Sequence, residues 1–317
     1  MLQSIAGFIT FRLFHLQPDT PLAVSVNFFF YDVFKILFLI FTVVTVINFI
    51  RTFFEPNQVK ETVGKMRWGL GNIVAALFGA VTPFCSCSSI PLFIGFIEAR
   101  IATGIAFSFL ITSPLVNEVA FVIMGGLFGW RLAFLYALSG IVLGVIGGLL
   151  IGALKMDKEI ILENAKEKKN ENYMPKTFHG KLAFALRIGK NTFKKLLPYV
   201  IGGVGIGAMI HGYVPQEFFM ETVGRYEMFS VVIATLMGIP IYAGCSTVVP
   251  LIFSITANGV PLGTSLAFMM AIAGLSLPEA IILKRVMRLK LLAAFFGIVA
   301  IGIIMVGYLF NTLYALH

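Results

Sequence analysis

Apolar residues run almost unbroken along the chain, and polar residues fall in clusters between them. Three stretches, 28–50, 131–154 and 291–313, are apolar over roughly twenty residues or more, the length that carries a helix across a ~30 Å hydrocarbon core. Elsewhere the runs are shorter and come in pairs. Residues 68–81 and 90–97 flank the polar stretch TPFCSCSSIP, and residues 229–239 and 248–255 flank a second break around Cys245. As helices these short runs are roughly 12–20 Å long at 1.5 Å per residue, too short to cross alone. The pattern predicts an all-α polytopic membrane protein. Two broken or re-entrant helices enter from opposite faces and meet near the bilayer midplane. Irregular backbone at that depth survives only where it is buried in protein or lines a cavity.

The two halves resemble each other. CSSIPLFIGFIEARIATGIAF from Cys87 lies over CSTVVPLIFSITANGVPLGTSLAF from Cys245. Each then has a proline, Pro91 or Pro250, and a glycine thirteen residues later, Gly104 or Gly263. The polar break SPLVNE at 113–118 matches SLPE at 276–279, which pairs Glu118 with Glu279. One small gap is needed before the proline and another before the glutamate. The expected organisation is an N-terminal interfacial segment (1–27), a first transmembrane repeat (28–154), a basic linker with an amphipathic helix (155–195), and a second repeat (196–317).

Charge fixes the expected orientation. Only 12% of residues are charged and 58% are hydrophobic, against roughly 25% charged in average soluble chains. The net charge of +9 is carried mostly by three clusters, at 51–67, 155–195 and 284–290. Cytoplasmic loops collect Lys and Arg, so all three are expected on the cytoplasmic side of a cell (inner) membrane. The acidic segment 212–228 and both termini are expected outside. These placements require an odd number of crossings in each half, the arithmetic of an inverted-topology repeat. Nucleic acid is not an expected partner, because base-stacking aromatics are sparse in the basic linker. The N-terminus lacks the basic region and small-residue cleavage site of a signal peptide.

The candidate chemistry lies in the breaks. Cys85, Cys87 and Cys245 are the chain's three cysteines. Cys85 and Cys87 would point about 200° apart on a helix but to one side of an extended segment. Pro83 and the polar run argue for extended backbone, so a shared soft site is the reading, with Cys245 as a third sulfur. Thiolates select soft partners such as Cu(I), Zn(II) or trivalent arsenic. Small buried hydrophobes or a Cys85 to Cys245 bridge are the alternatives. Ser86, Ser88, Ser89, Ser246 and Thr247 are candidates to satisfy freed backbone groups or to meet a polar substrate, and helix N-termini at such breaks offer N–H groups to anions. Glu118 lies in a membrane run, where ionisable groups mark ion or substrate paths. A protonated Glu118, with Asn117 as hydrogen-bond partner, is the candidate for proton coupling. Glu279 is the second candidate, with an interfacial ion pair to Lys284 as its alternative. No P-loop, nucleophile elbow or HExxH occurs, so no enzymatic activity and no cofactor are expected. A structural zinc site would lack a fourth ligand.

The stretch from Thr82 through Phe121, TPFCSCSSIPLFIGFIEARIATGIAFSFLITSPLVNEVAF, resembles the predicted permeases of the ArsP and YraQ type, and GIPIYAGCSTVVPLI supports this in the second half. The resemblance covers roughly residues 28–315. That family includes efflux permeases for trivalent organoarsenicals such as methylarsenite. It implies a secondary transporter with a thiol-lined path, in which Cys85, Cys87 and Cys245 match the family's cysteine-bearing motifs, and a small-molecule or metalloid substrate. A permease for a small anion, held by hairpin N–H groups and serine hydroxyls, is the second expectation. A membrane thiol oxidoreductase is the third.

Overall fold

The computed structural model describes residues 2–14, 17, 20–51, 69–82, 86–161, 177–213, 229–241, 245–257, 259–284 and 286–315. The acidic segment at 212–228 and the basic cluster at 51–67 lie almost wholly outside these residues. The described chain is helical apart from turns and one isolated bridge. A short α1 (Leu2–Gly7) and a π-helical turn (Phe8–Leu13) precede α2 (Pro21–Arg51). Thr20 caps α2 by accepting a hydrogen bond from the Ala23 amide at 3.3 Å, and Pro21 supplies the preset φ of a first helical residue.

The first half continues with α3 (Leu70–Val81), α4 (Ser86–Glu98), α5 (Thr103–Leu115), α6 (Glu118–Phe128) and α7 (Trp130–Ala153). Next comes α8 (Phe178–Tyr213), whose backbone runs unbroken through Lys195 and packs along α2. The second half repeats the first: α9 (Ser230–Gly238), α10 (Cys245–Ala257), α11 (Leu262–Gly274), α12 (Leu277–Leu283) and α13 (Leu289–Ala315).

The repeat keeps one register without gaps. Residues 86 and 245, 103 and 262, 118 and 277, and 130 and 289 open matching helices, each pair 159 positions apart. Packing repeats with it: α3 lies on α5 and α7 as α9 lies on α11 and α13. A Cβ added to Gly79 would lie 3.0 Å from the Phe109 carbonyl oxygen, and one on Gly238 would lie 3.0 Å from that of Phe268. This register corrects the expected gapped alignment. Cys245 answers to Ser86, not Cys87. Ser276 takes the helix-capping place of Asn117, and Glu279 answers to Ala120, not Glu118. Helix ends and glycine contacts set the true correspondence, which short letter matches had shifted.

Two interhelical contacts give the directions. On α7 and α13, Leu143 meets Gly302 and Gly147 meets Ile298, so these counterpart helices run antiparallel. The turn after α7 is fastened to the turn before α13. Ile161 N donates to the Val286 carbonyl at 2.7 Å and Arg288 N to the Glu159 carbonyl at 2.8 Å, with the Arg288 guanidinium 3.9 Å from the Glu159 carboxylate. Thr103 donates to Asp157, bringing the start of α5 to that same end. The start of α11 lies at the other end of α13, where Asn311 Oδ1 accepts from the Thr264 amide at 3.2 Å.

Helices α5 and α11 are buried along nearly their whole length, whereas α7 and α13 carry exposed Phe134, Leu138, Ile301 and Met305. By length and composition α7, α13 and α11 with α12 are each able to span a membrane. The last of these is interrupted at Leu275 and Ser276. Helices α5 and α6 pass the same length and composition test only as a pair, bent by 43° at their break. With twelve residues in α3 and thirteen in α4, each is about 18–20 Å long, as the paired short runs predict.

Candidate functional site

The site is built where helices stop. Helix α5 ends at Leu115 because its continuation would need Asn117 in helical geometry, and Asn117 is extended instead. Its Oδ1 accepts from the amides of Val119 at 2.9 Å and Ala120 at 3.3 Å, which caps α6. That oxygen therefore serves the helix start, not Glu118 as the sequence suggested. The carbonyl of Leu115, left over at the end of α5, accepts from the Tyr136 hydroxyl at 2.9 Å. In the second half the Leu277 amide donates to the Ile239 carbonyl at 3.1 Å, tying the break after α11 to the residues just before the second cysteine break. The two interrupted spans meet: a Cβ on Gly274 would lie 2.9 Å from Leu115 Cδ2.

An open pocket of about 360 Å³ lies at the first break, lined by Ala80, Asn117, Glu118, Phe121 and Phe134 among others. Ala80 stands in the last turn of α3. Glu118 is exposed there, in the first turn of α6, where the helix dipole favours a negative charge. Glu279 is buried, at 1% exposure. Reciprocal packing links the halves: α10 lies on α6, and α12 on α4.

The cysteine turns are described only in part. Cys85 lies outside the described residues, as do the side chains of Ser86, Cys87, Ser88, Cys245, Ser246 and Thr247. The backbone is clear from Ser86 and from Cys245 onward, and it is helical. This corrects the expectation of an extended run across both first-half cysteines. Cys87 sits in the first turn of α4, which opens at Ser86. Ser89 is fully buried.

Other polar groups escaped the sequence reading. Asn72 donates to the Gly104 carbonyl at 3.0 Å and to Ser108 Oγ at 2.9 Å inside the first half. Ser230 and Thr264 share a hydrogen bond of 3.0 Å in the second. Asp32 is buried within α2, and its charge inside an apolar run was the legible signal.

Comparison with known proteins follows this architecture. The family model described as "Predicted permease", ArsP_1, matches residues 22–312. A Streptococcus mutans protein named "Putative two-component membrane permease complex subunit" is 27% identical over 60% of this chain and 63% of its own length. UPF0718 protein MJ0584 of Methanocaldococcus jannaschii is 24% identical, covering 83% of this chain and 85% of the relative. UPF0718 protein YraQ of Escherichia coli is 22% identical, covering 82% and 73%. No solved structure matches the chain. With nearly its whole length matched, from α2 into the last turns of α13, the chain belongs to the ArsP_1 family of predicted permeases.

Proposed function

We propose that this permease is a secondary-active exporter of trivalent organoarsenicals, or of another soft thiophilic solute, driven by proton antiport. One observation carries the reading: the same broken-helix arrangement occurs twice in one register, with α7 and α13 antiparallel. Paired interrupted helices in matching positions of two halves form the midplane site of inverted-repeat transporters. In this reading the two repeats are inverted, and their breaks meet near the bilayer centre. Cys85, Cys87 and Cys245 offer sulfur to the solute, Ser86, Ser88, Ser89, Asn117, Ser246 and Thr247 line its path, and Glu118 and Glu279 exchange protons. Glu118 on the pocket wall supports this, since a carboxylate reached by both solute and water can trade one for a proton.

Uptake of methylarsenite into everted vesicles tests the proposal. A proton gradient is expected to drive accumulation, and Glu118→Gln is expected to abolish that dependence while leaving counterflow. Equal uptake with and without the protein would reject it. A small-anion permease is the second reading, favoured by buried Ser89 in the first turns of α4. There arsenate or phosphate, not methylarsenite, would accumulate, and Ser89→Ala would cost more than Cys87→Ser.

The orientation proposed has the linker on the cytoplasmic side of the cell (inner) membrane and both termini outside. The fastening of residues 159–161 to 286–288 supports one face for two basic clusters. A membrane-impermeant maleimide is therefore expected to label Lys158→Cys and Lys290→Cys in everted vesicles but not in intact cells. Labelling of one in each preparation would refute the shared face.

A further inference from the structure

Asp32 retains 6% of its exposure inside α2, in a helix that otherwise reads apolar for most of its 31 residues. Its surroundings follow from how α2 lies on α8. Phe29 meets Gly205, the rings of Phe41 and Phe193 are 6.4 Å apart, and Thr45 meets Gly189. The two helices are thus antiparallel, and Asp32 stands, by its position along α2, level with the stretch of α8 between Phe193 and Gly205. That stretch presents Leu197, Val200 and Val204 to the core. Its cations lie at the Phe193 end, where Lys194 is exposed and the side chain of Lys195 is outside the described residues. Arg12, in the π-helical turn beside α2, is exposed and stacked over Phe8. The α4 face brings Glu98 only at its far end. Lys35 stands three residues along α2, with its ammonium 5.5 Å over the Tyr31 ring.

A carboxylate so placed is costly to keep ionised and is relieved by taking a proton. It is also connected to the candidate site. Helix α2 packs on α4, and Val33 and Leu37 share one apolar core with Ile90 and Phe93 of α4. Helix α4 carries Cys87 in its first turn. A change of charge at Asp32 therefore acts on the helix that opens at the first cysteine break. We propose that Asp32 is a proton-carrying carboxylate of the transport cycle, protonated in one state of the α2, α4 and α8 assembly and releasing that proton to water in the other. This rests on the permease reading above and adds to it a coupling group that lies apart from the Glu118 pocket.

Proteoliposomes holding the full chain and a trapped pH dye provide the test, with a methylarsenite gradient imposed. The wild type is expected to move protons against methylarsenite. Asp32→Asn is expected to reduce that proton movement to background while methylarsenite counterflow, which needs no net proton transfer, persists. Lys35→Gln is expected to keep the proton movement. Asp32→Asn with undiminished proton movement would overturn the assignment and leave the permease reading standing. A wild type that moves neither methylarsenite nor protons would sink the permease reading and this assignment together. Should Asp32→Asn not fold, Asp32→Glu decides: a displaced pH profile of proton flux supports the role, and an unmoved profile overturns it.

Discussion

Cys87→Ser and Cys245→Ser are each expected to abolish methylarsenite resistance in cells that rely on this permease. Serine keeps the size and staggered geometry of cysteine but replaces a soft, polarisable sulfur with a hard oxygen. Trivalent arsenic is soft and is selected by thiolates, so the loss falls on binding and not on folding. Each residue stands in the first turn of the short helix that follows its break; removing Cys245 would leave the solute with first-half sulfur only, and removing Cys87 would leave Cys85 as the single first-half thiol. The growth of cells carrying each variant on methylarsenite, with the amount of membrane-inserted protein measured alongside, reads the result. Were the cysteines only small buried hydrophobes, both variants would retain resistance at equal protein levels.

Gly104→Leu and Gly263→Leu are expected to eliminate the folded protein. A Cβ on Gly104 would lie 2.7 Å from the Gly148 carbonyl oxygen and 3.1 Å from Gly152 Cα; one on Gly263 would lie 2.6 Å from the Asn311 amide nitrogen and closer still to the Gly307 carbonyl. The obstacles are backbone, which no side-chain rotation removes. Small residues are what let membrane helices approach this closely. One added methyl in a packed interior costs about 1–3 kcal/mol, so alanine at either position is expected to lower the unfolding temperature in detergent and leucine to prevent insertion as a monodisperse species. The paired outcome carries the weight. If the halves are structural counterparts, substitutions at Gly104 and Gly263 should injure the protein alike, whereas tolerance at one would show that the two contacts are not equivalent.

Much of this architecture was legible in the letters. The apolar runs at 28–50 and 291–313 fall within α2 and α13, and the run at 131–154 ends one residue past α7, because a twenty-residue apolar run has few alternatives to a long helix. Paired short runs likewise gave α3 with α4 and α9 with α10. The internal repeat was visible from Pro91 and Pro250 and from Gly104 and Gly263, which keep the common spacing. Its register was not. The Cys-Ser pairs at 87 and 245 look alike and drew the alignment one residue off, and the glutamates at 118 and 279 drew it further. Only helix ends show that one opens α6 while the other lies inside α12. Continuity of α8 was hidden for another reason. Its basic first half reads as a surface helix and its apolar second half as a span, and nothing in the letters forbids a single helix from being both. Asp32 was visible as a charge, but its burial comes from packing between helices, which the letters of α2 do not carry.

The claim beneath all of this is that the two cysteine-bearing turns face each other across the centre of the protein. A monosubstituted trivalent arsenical, phenylarsine oxide, measures it directly, since its arsenic bonds two thiolates and releases water in doing so. Titrated into the purified full chain, one equivalent is expected to consume two thiols. Peptide mapping is expected to find Cys245 joined through arsenic to a cysteine of the first half. Arsenic bound with Cys245 left free, in the folded protein, would contradict the account.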